Sequence, residues 1–106
     1  MNKKHFSDQR QKVPKLERLH VLFDYDPVSG ILFHKLSGDP AGSKDSRGYL
    51  RISIDGVRFY VHHVVWHLFH KTQCHGNCRF SHVNGDPADN TISNLKRKRR
   101  RWFGRR

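Results

Sequence analysis

No apolar run in this 106-residue chain approaches the roughly 20 residues needed to cross a bilayer, or the length of a secretion signal. The expectation is a soluble, unsecreted protein without a membrane partner. Cysteine is scarce. Cys74 and Cys78 are the only two, too few for a disulfide framework. Apolar residues make up only 35% of the chain, so its core must be small and its fold one domain. Acidic residues are missing where they would matter most, since none occurs in residues 96–106.

That gap shapes the charge. The formal net charge is +12, unevenly spread. Residues 1–20 carry Lys3, Lys4, Arg10, Lys12, Lys15 and Arg18 against Asp8 and Glu17, a net of +4. Residues 96–106 carry eight Lys/Arg, including Lys96, Arg97, Lys98, Arg99, Arg100 and Arg101, with Trp102 and Phe103 among them. Residues 21–95 hold seven bases and seven acids. Two basic ends on a neutral middle are the usual arrangement for gripping a polyanion, most often nucleic acid, although a solvated tail has the same composition.

Residues 1–12 show no pattern and read as a flexible basic arm. Pro14 can open a helix over 15–23, with Leu16, Leu19, Leu22 and Phe23 on one face. Asp24 to Gly30 is turn chemistry. Ile31 to Leu36 is predicted as a strand and 37–48 as a loop. Tyr49–Ile54 and Val57–His62 flank Asp55-Gly56, a two-residue hairpin signal. With that turn, cross-strand partners have numbers summing to 111. One face then carries Leu50, Ile52, Ile54, Val57, Phe59 and Val61, the other Tyr49, Arg51, Ser53, Arg58, Tyr60 and His62. This sorting specifies the register. A helix over 63–71 should cover the apolar face with Val64, Val65, Leu68 and Phe69. The polar face suits a major groove, with Arg51 and Arg58 reaching base edges, though an ordinary solvated sheet face has similar residues. Residues 78–83 are predicted as a short strand entering the turn Asn84-Gly85. A helix is expected from about Thr91, capped by Asn90 or Thr91, with a stripe of Leu95, Arg99, Trp102 and Phe103.

Three constellations carry candidate chemistry. His82 with Asn94 is the first. A neutral histidine is a natural general base for a phosphodiester near pH 7, and an asparagine amide can tie its loop to the next element. The second is His70, Cys74, Cys78 and His82, a ligand set of the type zinc takes, at spacings unlike the common finger. Two reduced thiols in a loop are the alternative, and zinc would withdraw His82 from catalysis. The third, His63, His67 and His70 on one helix face, reads as a polar outer face.

Residues 81–95, Ser-His-Val-Asn-Gly-Asp-Pro-Ala-Asp-Asn-Thr-Ile-Ser-Asn-Leu, resemble the HNH motif of phage homing endonucleases, whose usual form is Asp-His-x-Asn-Gly-Asp, then Asp-Asn, then Asn-Leu. Asp24-Tyr25-Asp26-Pro27-x-x-Gly30, Gly48-Tyr49-Leu50-Arg51-Ile52 and His62-His63-Val64-Val65-Trp66 match the upstream part of that family, in order. The resemblance covers roughly residues 22–95. It implies an α+β fold, a three-stranded antiparallel DNA-binding sheet with a packing helix followed by a ββα-metal motif. It divides the chain into an arm and helix start (1–20), the sheet and helix (21–71), the HNH motif (72–95) and a basic tail or helix (96–106). It further implies metal-dependent hydrolysis of double-stranded DNA in a bacterial or phage-infected cytoplasm. His82 would be the general base, Asn94 the brace, and Mg²⁺ or Mn²⁺ the support for the departing oxygen. DNA contacts would come from Tyr49, Arg51, Ser53, Arg58, Tyr60 and the bases 96–101. The metal positions depart from the pattern. The family's Asp before the His is Ser81, and the second ligand falls at Phe103. A hydroxyl is a poor substitute for a carboxylate and a phenyl ring is no ligand. Two other classes therefore stand beside the endonuclease. One is a non-catalytic DNA-binding or regulatory derivative. The other is an adaptor to a phage or host protein, or to RNA, through the tail.

Overall fold

The computed structural model describes residues 14–71 and 79–98. The chain runs α1 (Leu16–Leu22), β1 (Phe23–Asp26), β2 (Ile31–His34), β3 (Ser43–Lys44), β4 (Leu50–Ile54), β5 (Val57–Tyr60), α2 (Val61–His70), β6 (Arg79–His82), a 3₁₀ turn (Ile92–Asn94) and β7 (Leu95–Lys98). This is an α+β fold of small antiparallel sheets, β1-β2, β3-β4-β5 and β6-β7. Among the described residues no helix is long and apolar enough to cross a membrane.

Helix α1 is short because Phe23 turns extended (φ −135°, ψ 152°) and starts a strand. Leu19 faces inward, fully buried, and Phe23 continues that contact from β1. The β4-β5 hairpin has the expected register, Arg51 opposite Tyr60 and Ile54 opposite Val57. Its turn needs two left-handed residues, and Asp55 (φ 52°) and Gly56 (φ 84°) supply them. Arg18 forms a two-pronged ion pair with Asp55 (2.7 and 3.1 Å), tying α1 to that turn.

Helix α2 is the centre of the molecule. Val61, Val64, Val65 and Leu68 are buried on it, against Leu19, Phe23, Leu32, Ala41, Ile52, Ile54 and Leu95. It begins two residues before the expected start, so His62 belongs to its first turn and is buried instead of lying on the polar face of the hairpin. Phe69, expected inward, is 44% exposed. His67 takes an inward place, 1% exposed, and its Nδ1–H donates to the His63 carbonyl at 2.6 Å. The histidines of α2 therefore do not form one outer polar face.

Other differences follow from pairing that local patterns do not encode. Residues 23–26, within and beside the expected turn, form β1 because they pair with β2, Phe23 opposite His34. The third strand of the sheet is β3, from the segment read as a loop, with Ser43 opposite Arg51. Asn84 is not left-handed and Asn84-Gly85 is no two-residue hairpin. It opens a loop, 83–94, that returns as β7. The segment from 95 is a strand and not a helix, paired with β6. Thr91 precedes the 3₁₀ turn without a side-chain cap. The arm, Cys74, Cys78 and the bases from Arg99 onward lie outside the described residues.

Candidate functional site

His82 closes β6, where the ladder ends opposite Leu95. Beyond it the 83–94 loop is organised by side chains. The His82 carbonyl accepts the Gly85 N–H (2.9 Å), and the Asn94 carbonyl accepts the Val83 N–H (2.8 Å). Asn94, 8% exposed, uses its whole amide. Oδ1 accepts the Asn84 N–H (2.9 Å), and Nδ2 donates to Asn84 Oδ1 (3.1 Å) and to the Asp89 carbonyl (2.9 Å). Asn94 thus ties the two ends of the loop together and to Asp89 between them. Asp89, partly exposed, gathers donors from both sides of the loop. Its carboxylate accepts from Thr91 N–H (3.1 Å), Thr91 Oγ1–H (2.5 Å) and Asn84 Nδ2 (2.9 Å). The Thr91 bonds hold that carboxyl below the usual range.

Asn90, named from sequence as a helix cap and within the Asp-Asn step of the motif, is one of the most buried polar residues at 1% exposure. Its Oδ1 accepts the Nε2–H of His82 at 2.9 Å. A proton on Nε2 leaves Nδ1 with the lone pair, and among the described residues Nδ1 has no hydrogen-bond partner. With the Asn90 amide in this orientation, its buried Nδ2 unpartnered among the described residues, the half-buried imidazole carries its proton on Nε2 and keeps a bare Nδ1, as a general base needs.

A cluster of rings surrounds it. His62 lies edge-on to His82 at 4.9 Å, and Tyr49 lies 5.9 Å from it. Tyr60 stacks on His62 at 5.1 Å, and His63 and Phe80 close the other side at 4.9 and 5.9 Å from His62. Burial, together with the neighbouring His63 and His82, pushes His62 down to about 3. Burial and His67 push His63 down to about 4. Both are neutral near pH 7, so His82 has two uncharged histidines in its surroundings and no added cation from them.

The polar face of β4-β5 runs into this cluster. Tyr60 and Tyr49 touch edge to face at 5.5 Å. The Arg51 guanidinium sits over Tyr60 at 4.6 Å, and Arg47 lies over Tyr49 at 5.5 Å while donating to the Tyr60 hydroxyl at 3.1 Å. Asp45 lies 3.8 Å from Arg51. Burial opposes ionisation of Asp45, but the N–H groups of Arg47 and Tyr49 and both guanidiniums hold its carboxyl below the usual range. Arg47 was not singled out from sequence, because it lies in a Gly- and Ser-rich stretch with no periodicity. Arg51 and Arg58 are therefore unequal. Arg51 is half-buried and stacked, with its Nε buried and unpartnered, while Arg58 and Ser53 are exposed at the other end of the face.

On β7, Lys96, Arg97 and Lys98 are exposed. Lys96 stands directly opposite Ser81 in the ladder. Ser81 occupies the position where the resemblance expects a carboxylate ligand. A hydroxyl whose cross-strand partner is a lysine offers no negative charge to a divalent cation, so the residues present do not fit a Mg²⁺ or Mn²⁺ site of the expected kind. The other expected position, Phe103, lies outside the described residues, as do Cys74 and Cys78 of the zinc set. His70 is exposed and stacked on Trp66 at 4.1 Å. Among the described residues no group of three or more His, Cys, Asp or Glu is arranged to hold a metal ion.

No family model, curated protein or solved structure matches this chain.

Proposed function

We propose that this chain is a double-stranded DNA-binding protein built on an HNH-like site, with His82 retained as a base and the usual metal centre lost. The observation that carries this reading is continuity. The cationic, aromatic face of β4-β5 leads through Arg51, Tyr60 and Tyr49 to His82 with ring contacts of 4.6, 5.5 and 5.9 Å. A duplex lying on that face would bring a phosphodiester to the imidazole. Arg58 and Ser53, free at the far end, suit base edges. Arg47 and Arg51, locked on tyrosines, suit phosphate, where a fixed fork is an advantage. Lys96, Arg97 and Lys98 add charge beside the site.

A specific observation keeps hydrolysis as a second reading. His82 Nε2 meets Asn90 Oδ1 at 2.9 Å while Nδ1 has no hydrogen-bond partner among the described residues, an arrangement that suits a base. In that reading Nδ1 takes a proton from water and the arginines hold the phosphate. The Ser81–Lys96 pair weighs against metal-dependent cleavage.

Binding to duplex DNA followed by fluorescence anisotropy from 50 to 200 mM salt tests the first reading. Because residues 95–98 form a strand, the basic residues are best neutralised in place. Replacing Lys96, Arg97 and Lys98 with Gln should flatten the log–log salt slope by about 2 to 3, at roughly 0.9 per phosphate. No binding by the unaltered protein at 50 mM salt would sink the proposal. Plasmid nicking assayed with Mg²⁺, Mn²⁺ or EDTA, in wild type, His82→Ala and Ser81→Asp, tests the second. Nicking lost in His82→Ala supports it, and no nicking by wild type under any condition removes it.

A further inference from the structure

His82 is held by a residue that is itself held from the other end of the chain. A side chain can orient its neighbour only if its own backbone is fixed, and Asn90 belongs to no strand ladder. Two contacts from the β1-β2 hairpin fix it. The Tyr25 hydroxyl donates to the Asn90 carbonyl at 2.5 Å. Gly30 lies directly against the same peptide. A Cβ built there would stand 2.4 Å from Thr91 N and 2.8 Å from the Asn90 carbonyl carbon, and φ is +78°. Any side chain at Gly30 would drive the loop away.

The hairpin is stiff enough for this. The Gly30 N–H donates to the Asp26 carbonyl at 2.8 Å, and the Asp26 carboxylate accepts from Val28 N–H and Ser29 Oγ–H, each at 3.0 Å. Burial of Tyr25, reinforced by Asp26 and Asp89, pushes its phenol well above the ordinary value, so it remains a donor at any working pH. On the far side, Asp89 grips Thr91 through backbone and hydroxyl. Asn90 is thus clamped at its backbone between two Asp-centred turns; its buried Nδ2 has no hydrogen-bond partner among the described residues, and His82 Nε2 is what its Oδ1 meets.

We propose that Tyr25 and Gly30 are positioning residues for His82: the β1-β2 hairpin acts through Asn90 to keep the imidazole in the Nε2–H tautomer with Nδ1 bare. In water a neutral imidazole exchanges between both forms, and one of them presents no lone pair from Nδ1. The inference builds on His82 as the base of the site, but its readout does not depend on cleavage. It also gives a shared purpose to two separate sequence blocks, Asp24-Tyr25-Asp26-Pro27-x-x-Gly30 and Asp89-Asn90.

The test is the His82 tautomer, read from long-range ¹H–¹⁵N correlations of the full-length labelled protein at pH 8. Wild type should show a single Nε2–H form. Tyr25→Phe, which removes one hydroxyl and keeps the ring, should give a mixture of tautomers while its backbone amide spectrum stays folded. Asn90→Ala should give the same mixture. Asn90→Asp, which keeps an acceptor oxygen at that place, should restore the single form. An Nδ1–H form in wild type, or a His82 signal unmoved by Tyr25→Phe, would overturn the proposal. A protein with the expected tautomers that cleaves no DNA leaves the positioning role intact and removes only the hydrolytic reading. Cleavage by a wild type of mixed tautomer does the reverse.

Discussion

The hairpins β4-β5 and β6-β7 are built alike and held differently. Each is an antiparallel pair with four matched residues per strand. In β4-β5 a two-residue turn joins the strands and burial sets the register, with Ile52 and Ile54 at 5% and 3% exposure under α2. In β6-β7 the loop 83–94 intervenes. On β7 Leu95 is buried, while Lys96, Arg97 and Lys98 point into water. Its register is set by polar side chains, chiefly the three hydrogen bonds of Asn94 and the single one from His82 to Asn90. Apolar burial is strong but indifferent to rotation of any one group. A hydrogen-bonded loop is weaker but fixes individual atoms. The stable hairpin therefore presents the face proposed to bind, and the directional one presents His82.

Truncating each anchor would sharpen that contrast. Ile54→Ala should lower global stability by about 4 kcal/mol, seen as a reduced urea midpoint with unchanged slope, since a buried methyl-rich side chain leaves a cavity beneath α2. Asn94→Ala should remove about 3 kcal/mol, because it orphans the Asn84 N–H and the Asp89 carbonyl. Its signature should be local. Hydrogen exchange should accelerate at Val83 and Asn84 more than at Ile52. Equal acceleration at both places would erase the distinction between the hairpins.

Acid should act through the buried histidine between them. The folded His62 has its proton affinity pushed down to about 3, whereas the unfolded side chain titrates near 6.5. Between those values the unfolded chain holds a proton that the folded chain does not. Stability is complete above pH ~6.5 and falls as pH drops from there toward the folded value, by about 1.4 kcal/mol per pH unit. His62→Phe should remove that slope, measured by urea unfolding at pH 7, 6, 5 and 4, leaving the same-signed contribution of His63. An unaltered slope would mean that His62 is hydrated in the folded protein. The smallest effect belongs to the tight turn. Gly56→Ala meets no neighbour within 4 Å but must take φ 84°, so it should remove only about 1 kcal/mol from the thermal stability.

The β4-β5 hairpin and α2 were legible in the sequence because their information is local. Alternation placed Leu50, Ile52 and Ile54 on one face, Asp55-Gly56 marked the reversal, and a helical stripe followed. Strands β3 and β7 were not legible. Ser43-Lys44 and Lys96-Arg97-Lys98 have no alternation and little preference for strands. They are extended because a partner strand lies alongside. The basic run from 96, read as tail or helix, begins as a ladder strand for the same reason. At the site, His82 and Asn94 stood out by residue type and spacing. Asn90, Tyr25 and Gly30 stood in separate motif blocks and as cap or turn chemistry, but nothing joined them, since a contact across 65 residues leaves no mark on either segment alone.

The central position of α2 also bears on how the chain folds. Each ladder joins strands that follow one another in sequence, and the β1-β2 and β4-β5 turns are short. Such pairs close within microseconds, yet an isolated two-stranded hairpin is marginal in water. The strands can therefore form early and dissolve repeatedly until α2 docks and gives every apolar face the same partner. Productive collapse would then be one late, shared event. Cutting the chain on either side of α2 should yield fragments that sample their hairpins without keeping them.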